Sequence, residues 1–150
     1  MKLLLDTCLL TELRTPQGSP AVKSFIASQS ERSLFLSVIT LGEVAKGVSL
    51  LAEGRKKRAL AVWQLSLSSL FADRILSLDQ ETAELWGELS ASGMKKGITV
   101  PVADGLIAAT AIRHGLHVAT RNTPHFEAAG AMVVNPWLSS ADTYPQHGRN

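Results

Sequence analysis

Short apolar segments alternate with longer helical patterns along the chain, and this alternation limits the fold more than any other feature. The apolar segments are candidate strands at residues 3–5, 34–37, 75–78, 118–120 and 132–134. Two clear helical patterns lie between them, at residues 79–92 and 101–114. Strands separated by helices usually form a parallel sheet that helices cover. The sequence therefore predicts an α/β sandwich with a mostly parallel sheet.

The chain has 150 residues, the size of one ordinary domain with a single core. No apolar stretch reaches the roughly 18 residues of a transmembrane helix. The first apolar run is broken by Asp6 after three leucines, too early for a signal-peptide core. The single cysteine cannot form an internal disulfide, which fits a reducing compartment. We expect a cytoplasmic protein without membrane contacts, with one domain at residues 1–138 and a flexible polar tail at residues 139–150.

Two carboxylates stand near the ends of candidate strands, where parallel sheets form their ligand sites. Asp6 follows the first strand, and Glu43 lies near the start of the helix after the second. Each also has a simpler interpretation as part of a helix cap. Aspartate is a preferred N-cap residue, and Thr40 with Glu43 matches the spacing of a capping box. The residues alone leave both interpretations open.

Asp104 is the carboxylate that is hardest to explain structurally. It falls in the first turn of the segment "PVADGLIAATAIRHG", which is apolar on nearly every side and is therefore predicted to be a buried helix. The helix dipole favours a negative charge at this position. A buried charge, however, usually needs a partner or a metal ion.

We expect each of the three acids to begin a helix just past a strand, so that the sheet gathers them at one edge. Carboxylates without basic partners repel one another unless a cation lies among them. Oxygen ligands completed by water suit Mg²⁺ or Mn²⁺. Such ions can activate water and stabilise the leaving oxygen of a phosphodiester. The pattern therefore favours a metal-dependent phosphodiesterase site.

Five motifs, in their order and spacing, resemble those of the PIN-domain ribonucleases. The nearest likeness is to the VapC-type toxins, including their FitB-like branch. The motifs fall within residues 2–137 and read "LLLDTCLLTEL", "LSVITLGEVAKG", "VADGLIAATAIRHGL", "VATRNTPHF" and "VVNPW". The resemblance implies that residues 1–138 are a PIN domain. Its fold would be a PIN-like three-layer sandwich, with a parallel sheet of four to five strands flanked by helices.

The same resemblance implies roles for individual residues. Asp6, Glu43 and Asp104 would be the catalytic acids that hold Mg²⁺ or Mn²⁺, and RNA phosphodiester bonds would be hydrolysed beside them. Thr7 and Thr120 match polar positions that help to order the metal site.

The last motif departs from the family pattern, which commonly supplies a fourth carboxylate there. Asn122 can still offer a carbonyl oxygen or hold a water molecule on the metal, and His125 accepts Mn²⁺ more readily than Mg²⁺. Cys8 stands where the family usually has asparagine. We therefore predict an intact first metal site and a second one that is weakened or absent.

The candidate RNA contacts are basic residues near the motifs. Arg121 adjoins the last motif, and Lys46 lies one turn after Glu43, with which an ion pair is its alternative role. The basic run at residues 55–58 has two interpretations. Such runs are usually solvated helix faces, but they can also neutralise RNA phosphates.

The resemblance implies several partners. They are a cognate VapB- or FitA-like antitoxin that covers the site, a second copy of the chain in a homodimer, an RNA substrate such as tRNA, and DNA only through the antitoxin. One alternative function stays open, in which the altered last motif has weakened catalysis. The chain would then act mainly as the dimeric partner of a DNA-binding antitoxin in operon repression. The presence of all three acids favours the ribonuclease toxin.

Overall fold

The computed structural model describes residues 1–138, where five strands alternate with helices. The strands are β1 (Leu3–Leu5), β2 (Leu34–Ser37), β3 (Ile75–Leu76), β4 (His117–Ala119) and β5 (Val133–Val134). The α-helices are α1 (Thr7–Arg14), α2 (Pro20–Ala27), α3 (Val38–Ser49), α4 (Arg55–Leu70), α5 (Gln80–Lys95), α6 (Val102–His114) and α7 (Thr123–Ala128). No helix in this range is long and apolar enough to cross a membrane. The predicted tail at residues 139–150 lies outside the described residues.

All five strands run parallel in one sheet, in the order β3-β2-β1-β4-β5. The central strand β1 places Leu3 opposite Leu34 of β2 and opposite His117 of β4. Because every strand points the same way, the carboxyl ends of all five meet at one edge. The predicted α/β sandwich with a parallel sheet is confirmed.

The predicted strand boundaries are correct in the centre of the sheet and less so at its edges. β1 and β2 occupy the predicted residues. β3 ends two residues early, β4 is shifted by one residue, and β5 lacks Met132. Each outer strand pairs with its neighbour through only two residue pairs, so pairing there stops sooner than the apolar run does.

The sheet buries both of its faces, because successive side chains of a strand point in opposite directions. Leu3 and Leu5 of β1 lie in a core with residues of α1 to α4, and both are at most 1% exposed. Leu4 lies in a second core with Ile107 of α6 and Phe126 of α7. These two cores make the three-layer arrangement and hold the central strand rigidly.

Helix α6 is fixed at its start, within its first half and at its end. Pro101 stands at its N-cap, and Gly115 ends it in the left-handed conformation at φ 66°. In its first half, Gly105 packs against the indole of Trp86 in α5. A Cβ atom on Gly105 would lie 2.9 Å from two atoms of that ring. Asp104 therefore sits beside a point of close contact between two helices.

A buried arginine ties together the amino-terminal edge of the sheet. Arg74 is 6% exposed and stands just before β3. Its guanidinium donates hydrogen bonds to the backbone carbonyls of Glu31, Leu34 and Leu70, at 2.6–2.8 Å. The side chain thus joins the start of β2 to the end of α4.

Candidate metal centre

Asp6 leaves the end of β1 and is held through both of its carboxylate oxygens. Its Oδ1 accepts a hydrogen bond from the backbone N–H of Thr7 at 2.8 Å, which makes Asp6 the N-cap of α1. Its Oδ2 accepts from the hydroxyl of Thr120 at 2.8 Å. The residue is 7% exposed. The capping interpretation is therefore correct, but it accounts for one oxygen only.

Thr120 follows β4 and links two of the predicted site residues. It is fully buried, and its hydroxyl oxygen accepts from the backbone N–H of Asn122 at 2.9 Å while its proton goes to Asp6. The thiol of Cys8 lies 3.5 Å from Asp6 Oδ2. Burial, with a further contribution from the charge of Asp6, raises the pKa of Cys8, so the thiol stays protonated beside the carboxylate.

Glu43 approaches the same edge from α3. Its Oε1 accepts a hydrogen bond from the hydroxyl of Thr7 at 2.9 Å. Partial burial raises the pKa of Glu43, and the negative charges of Asp6 and Asp104 raise it further. The hydrogen bond from Thr7 and the positive charge of Lys46 act in the opposite direction. Asp6 and Asp104 are therefore close enough to Glu43 for their charges to affect its ionisation.

The alternative interpretation of Thr40 and Glu43 as a capping box is not seen in the structure. The N-cap of α3 is Ser37, whose hydroxyl accepts from the backbone N–H of Ile39 at 3.0 Å. Helix α3 thus begins earlier than the capping box requires, and Glu43 lies in its second turn rather than near its start. The hydroxyl of Thr40 is instead buried without a hydrogen-bond partner among the described residues.

Asp104 reaches the site from the first turn of α6, as predicted, but not after a strand. Helix α6 follows α5 through residues 96–101, which contain no strand. The expectation that all three acids begin a helix just past a strand is correct only for Asp6. The sheet positions one acid directly, and helices α3 and α6 carry the other two.

The last motif meets Asp104 directly. His125 of α7 lies with its Nδ1 atom 2.7 Å from Oδ2 of Asp104. The side-chain amide of Asn122 lies 2.8 Å from the same Nδ1 atom. The side chain of Asp104 is 16% exposed and that of His125 is 43% exposed. Asn122 and His125 were noted in the sequence as departures from the family pattern. The contact of His125 with Asp104 could not be predicted, because it joins positions 21 residues apart and leaves no local signal.

The two predicted RNA contacts lie in different surroundings. Lys46 is exposed and lines a groove with Glu43 and Thr7. Within residues 1–138 it forms no ion pair with Glu43, so that alternative is not seen. Arg121 places its guanidinium 4.9 Å from the centre of the Trp137 ring.

A second groove beside Glu43 contains basic residues that the sequence did not single out individually. Arg14 and Lys56 line it together with Thr7 and Thr11. The guanidinium of Arg14 lies 5.7 Å from the centre of the Trp63 ring. A local signal for Arg14 exists, because residues 7, 11 and 14 fall on one face of a helix. Lys56 belongs to the basic run at residues 55–58, so one member of that run lies near the acids.

The donor atoms of this edge suit a hard divalent cation in their chemistry. Three carboxylates and two threonine hydroxyls are oxygen ligands of the kind that Mg²⁺ and Mn²⁺ prefer. Within the described residues, no three His, Cys, Asp or Glu side chains converge into a ready metal-binding group. Threonine hydroxyls and His125 hold the acids instead. Binding of one ion by all three acids therefore requires side-chain movement.

Comparisons with known proteins identify the family. The PIN domain matches residues 3–131. Toxin FitB of Neisseria gonorrhoeae is 40% identical over 136 residues, which cover 90% of this chain and 98% of FitB. VapC ribonuclease Y4jK of Sinorhizobium fredii is 35% identical over 139 residues, which cover 90% of this chain and 97% of that relative. A solved structure of FitAB bound to an IR36 DNA fragment superimposes with a TM-score of 0.86 at 38% identity, covering 92% of this chain and 97% of its counterpart. On sequence, fold and relatives alike, this chain belongs to the PIN-domain family.

Proposed function

We propose that the protein is the toxin of a toxin–antitoxin pair and an endoribonuclease that hydrolyses RNA phosphodiester bonds. It would use Mg²⁺ or Mn²⁺ held by Asp6, Glu43 and Asp104. One observation carries the proposal: Thr7 holds Asp6 and Glu43 side by side, because its backbone N–H donates to Asp6 and its hydroxyl donates to Glu43. The charges of Asp6 and Asp104 also raise the pKa of Glu43, which is consistent with that proximity. Among the described residues, no lysine or arginine forms an ion pair with any of the three. Negative charge gathered in this way at the ligand edge of a parallel sheet favours a cation.

The surrounding residues support this role by orienting the acids. Thr120 and the backbone of Thr7 hold the two oxygens of Asp6, and the hydroxyl of Thr7 holds Glu43. When bound, the divalent ion would supply activation of water and neutralisation of charge on the phosphate. Asp6 and Glu43 are thus oriented before an ion binds and lose less conformational freedom, although bringing all three acids onto one ion still requires side-chain movement.

Basic residues beside the acids support a nucleic-acid substrate. Lys46, Arg14 and Lys56 line the grooves that open next to Glu43. Phosphate neutralisation by such side chains dominates affinity for nucleic acids. We infer that the RNA backbone runs along these grooves, with Arg121 as a further candidate contact.

The relatives support the proposed partners and activity. One is named a ribonuclease and another a toxin, so hydrolysis is favoured over the alternative of a catalytically weak repressor subunit. The solved FitAB structure on DNA supports a FitA-like antitoxin, through which this chain would meet DNA. A homodimer and a cytoplasmic location remain predictions that go with this function.

The decisive experiment is cleavage of total tRNA by purified protein that is free of antitoxin. Reactions would contain Mg²⁺, Mn²⁺ or EDTA, and would include an Asp104→Asn variant. The matched control is Asp73→Asn, because Asp73 is an exposed carboxylate at the opposite edge of the sheet. We expect metal-dependent cutting that Asp104→Asn loses and Asp73→Asn keeps.

If the wild-type protein leaves tRNA and several other RNAs intact with both metals, the proposal fails. Cutting that persists in EDTA would contradict the metal-dependent mechanism. Cutting that persists equally in Asp104→Asn would instead point to a contaminating nuclease.

A further inference from the structure

The contact between α6 and α7 poses a hydrogen-bonding problem. Nδ1 of His125 lies 2.7 Å from Oδ2 of Asp104 and 2.8 Å from Nδ2 of Asn122. A ring nitrogen carries one proton or one lone pair in the plane of the ring. If Nδ1 donates a proton to Asp104, the amide NH₂ of Asn122 points a second donor at it. If Nδ1 accepts from Asn122, it has no proton for Asp104.

One rearrangement brings three potential ligand atoms together. When the amide of Asn122 rotates by half a turn, its carbonyl oxygen replaces its NH₂ group near Nδ1. We call the contact of Asp104, Asn122 and His125 the corner of the site. After the rotation, the corner presents a carboxylate oxygen, an amide oxygen and a ring nitrogen. All three belong to chemical classes that ligate divalent metals in proteins.

The two distances measured from Nδ1 are close to the spacing of neighbouring ligands on one ion. Ligands that share a small divalent ion lie about 3 Å apart. The distances of 2.7 and 2.8 Å at Nδ1 would need to widen by only a few tenths of an ångström. The rotated amide already removes the conflict, because Nδ1–H can then donate to both oxygens; a bound cation would take the place of that shared proton.

We propose that His125 is a direct metal ligand in this chain, and that it acts with Asp104 and Asn122. The corner would bind a divalent first-row transition ion, such as Mn²⁺, in preference to Mg²⁺. This inference rests on the proposed function, because Asp104 serves both. It goes further in naming a nitrogen ligand and the class of metal.

A nitrogen ligand has a consequence for metal choice that oxygen ligands lack. Imidazole suits transition metals, whereas Mg²⁺ prefers carboxylate, carbonyl and water oxygens. His125 should therefore strengthen Mn²⁺ binding and contribute little to Mg²⁺ binding. The exposed ring, 43% accessible, also allows its replacement without opening the core.

The test is pulsed electron paramagnetic resonance of Mn²⁺ bound to the full-length protein, together with Mn²⁺ titration and Mg²⁺ competition. Wild-type protein should show coupling between the Mn²⁺ spin and a directly bound nitrogen. His125→Ala should lose that coupling and bind Mn²⁺ about 10-fold more weakly, with less than about a twofold change for Mg²⁺. His114→Ala is the matched control, since His114 is an exposed histidine at the far end of α6.

The outcomes separate this inference from the proposed function. Bound Mn²⁺ without nitrogen coupling in the wild-type protein, or with coupling that survives in His125→Ala, would overturn the role of His125. The three acids would then still hold the ion. No Mn²⁺ binding at all would overturn both proposals. As a second variant, His125→Asp should shift the preference back towards Mg²⁺, and the opposite shift would contradict the inference.

Discussion

Asp6 and Asp104 are both aspartates at the start of a helix, yet the protein holds them in different ways. Asp6 caps α1 at the end of a central strand, and two hydrogen-bond donors of the fold fix its oxygens. Asp104 lies on α6 and contacts His125 on a neighbouring short helix. We call these the strand-borne half and the helix-borne half of the site. The first is part of the folded framework, whereas the second depends on how helices and their side chains meet.

Alanine substitution of the two aspartates should separate these roles most strongly. We expect both Asp6→Ala and Asp104→Ala to lower RNA cleavage by at least about 100-fold, because each removes a proposed metal ligand. Only Asp6→Ala should also destabilise the fold, by about 2 kcal/mol, since it leaves Thr120 and the Thr7 N–H without their acceptor. Urea denaturation in EDTA measures the second effect. If Asp6→Ala and Asp104→Ala lose equal stability, the proposed difference between the two halves of the site is contradicted.

Gly105→Ala should disturb the helix-borne half through packing. The new Cβ would lie 2.9 Å from two atoms of the Trp86 indole, so either that ring must shift or α5 and α6 must separate. We expect a stability loss of about 1–3 kcal/mol and weaker cleavage, because Asp104 moves with α6. Gly87→Ala in α5 is the control. Its Cβ meets nothing within 4 Å, and it should gain about 0.5–1 kcal/mol. A stable Gly105→Ala protein would show that the ring or the two helices can move at little cost.

Thr120→Val should weaken the strand-borne half of the site, because valine has nearly the shape of threonine but lacks its hydroxyl. The variant loses the proton given to Asp6 and the acceptor for the backbone N–H of Asn122. We expect a loss of about 1–2 kcal/mol in thermal or chemical denaturation. The matched change, Thr11→Val, lies on the exposed side of α1 and should alter stability by less than about 0.5 kcal/mol. If both variants behave alike, the buried hydroxyl does not anchor Asp6.

Glu43→Gln should have the smallest effect on folding stability, and in the opposite direction. Partial burial and the two neighbouring acids raise the folded-state pKa of Glu43 above its ordinary 4.5, so its ionisation disfavours the folded protein at higher pH. In EDTA at pH 7 to 8, the glutamine variant should therefore be slightly more stable, and solvent screening of this partly exposed side chain keeps the gain small.

This gain should disappear as the pH falls below 4.5, where the carboxyl group is protonated in both the folded and the unfolded chain. Glu88→Gln, on an exposed position of α5, is the matched substitution. A gain that is independent of pH, or a loss at pH 7, would contradict the electrostatic explanation.

The strand-borne half was also the more predictable from sequence. β1 is an uninterrupted buried run, and Asp6 directly follows it, so sequence adjacency fixes its place. Thr120 was assigned to the site only through the family resemblance, because the predicted strand at residues 118–120 still included it, whereas β4 ends at Ala119. The placement of Asp6 needed only the direction of a strand and the edge at which it ends.

The helix-borne half was less predictable because its contacts join distant residues. Thr7 meets Glu43 across 36 positions, and His125 meets Asp104 across 21. Such pairs depend on helix packing and on rotamers, which leave no periodic signal in the chain. The misplaced start of α3 has a local cause instead. Ser37 and Thr40 are both acceptable caps, and the earlier one is used.

The buried guanidinium of Arg74 bears on how such a protein can change over time. It concentrates three strong hydrogen bonds at the end of the sheet opposite the acids. A reactive edge crowded with like charges costs stability, and hydrogen bonds at the far end of the sheet can offset part of that cost. Substitutions among the acids and their neighbours can therefore be explored by evolution without first endangering the scaffold. That separation offers a physical reason why the last motif of this chain could depart from the family pattern.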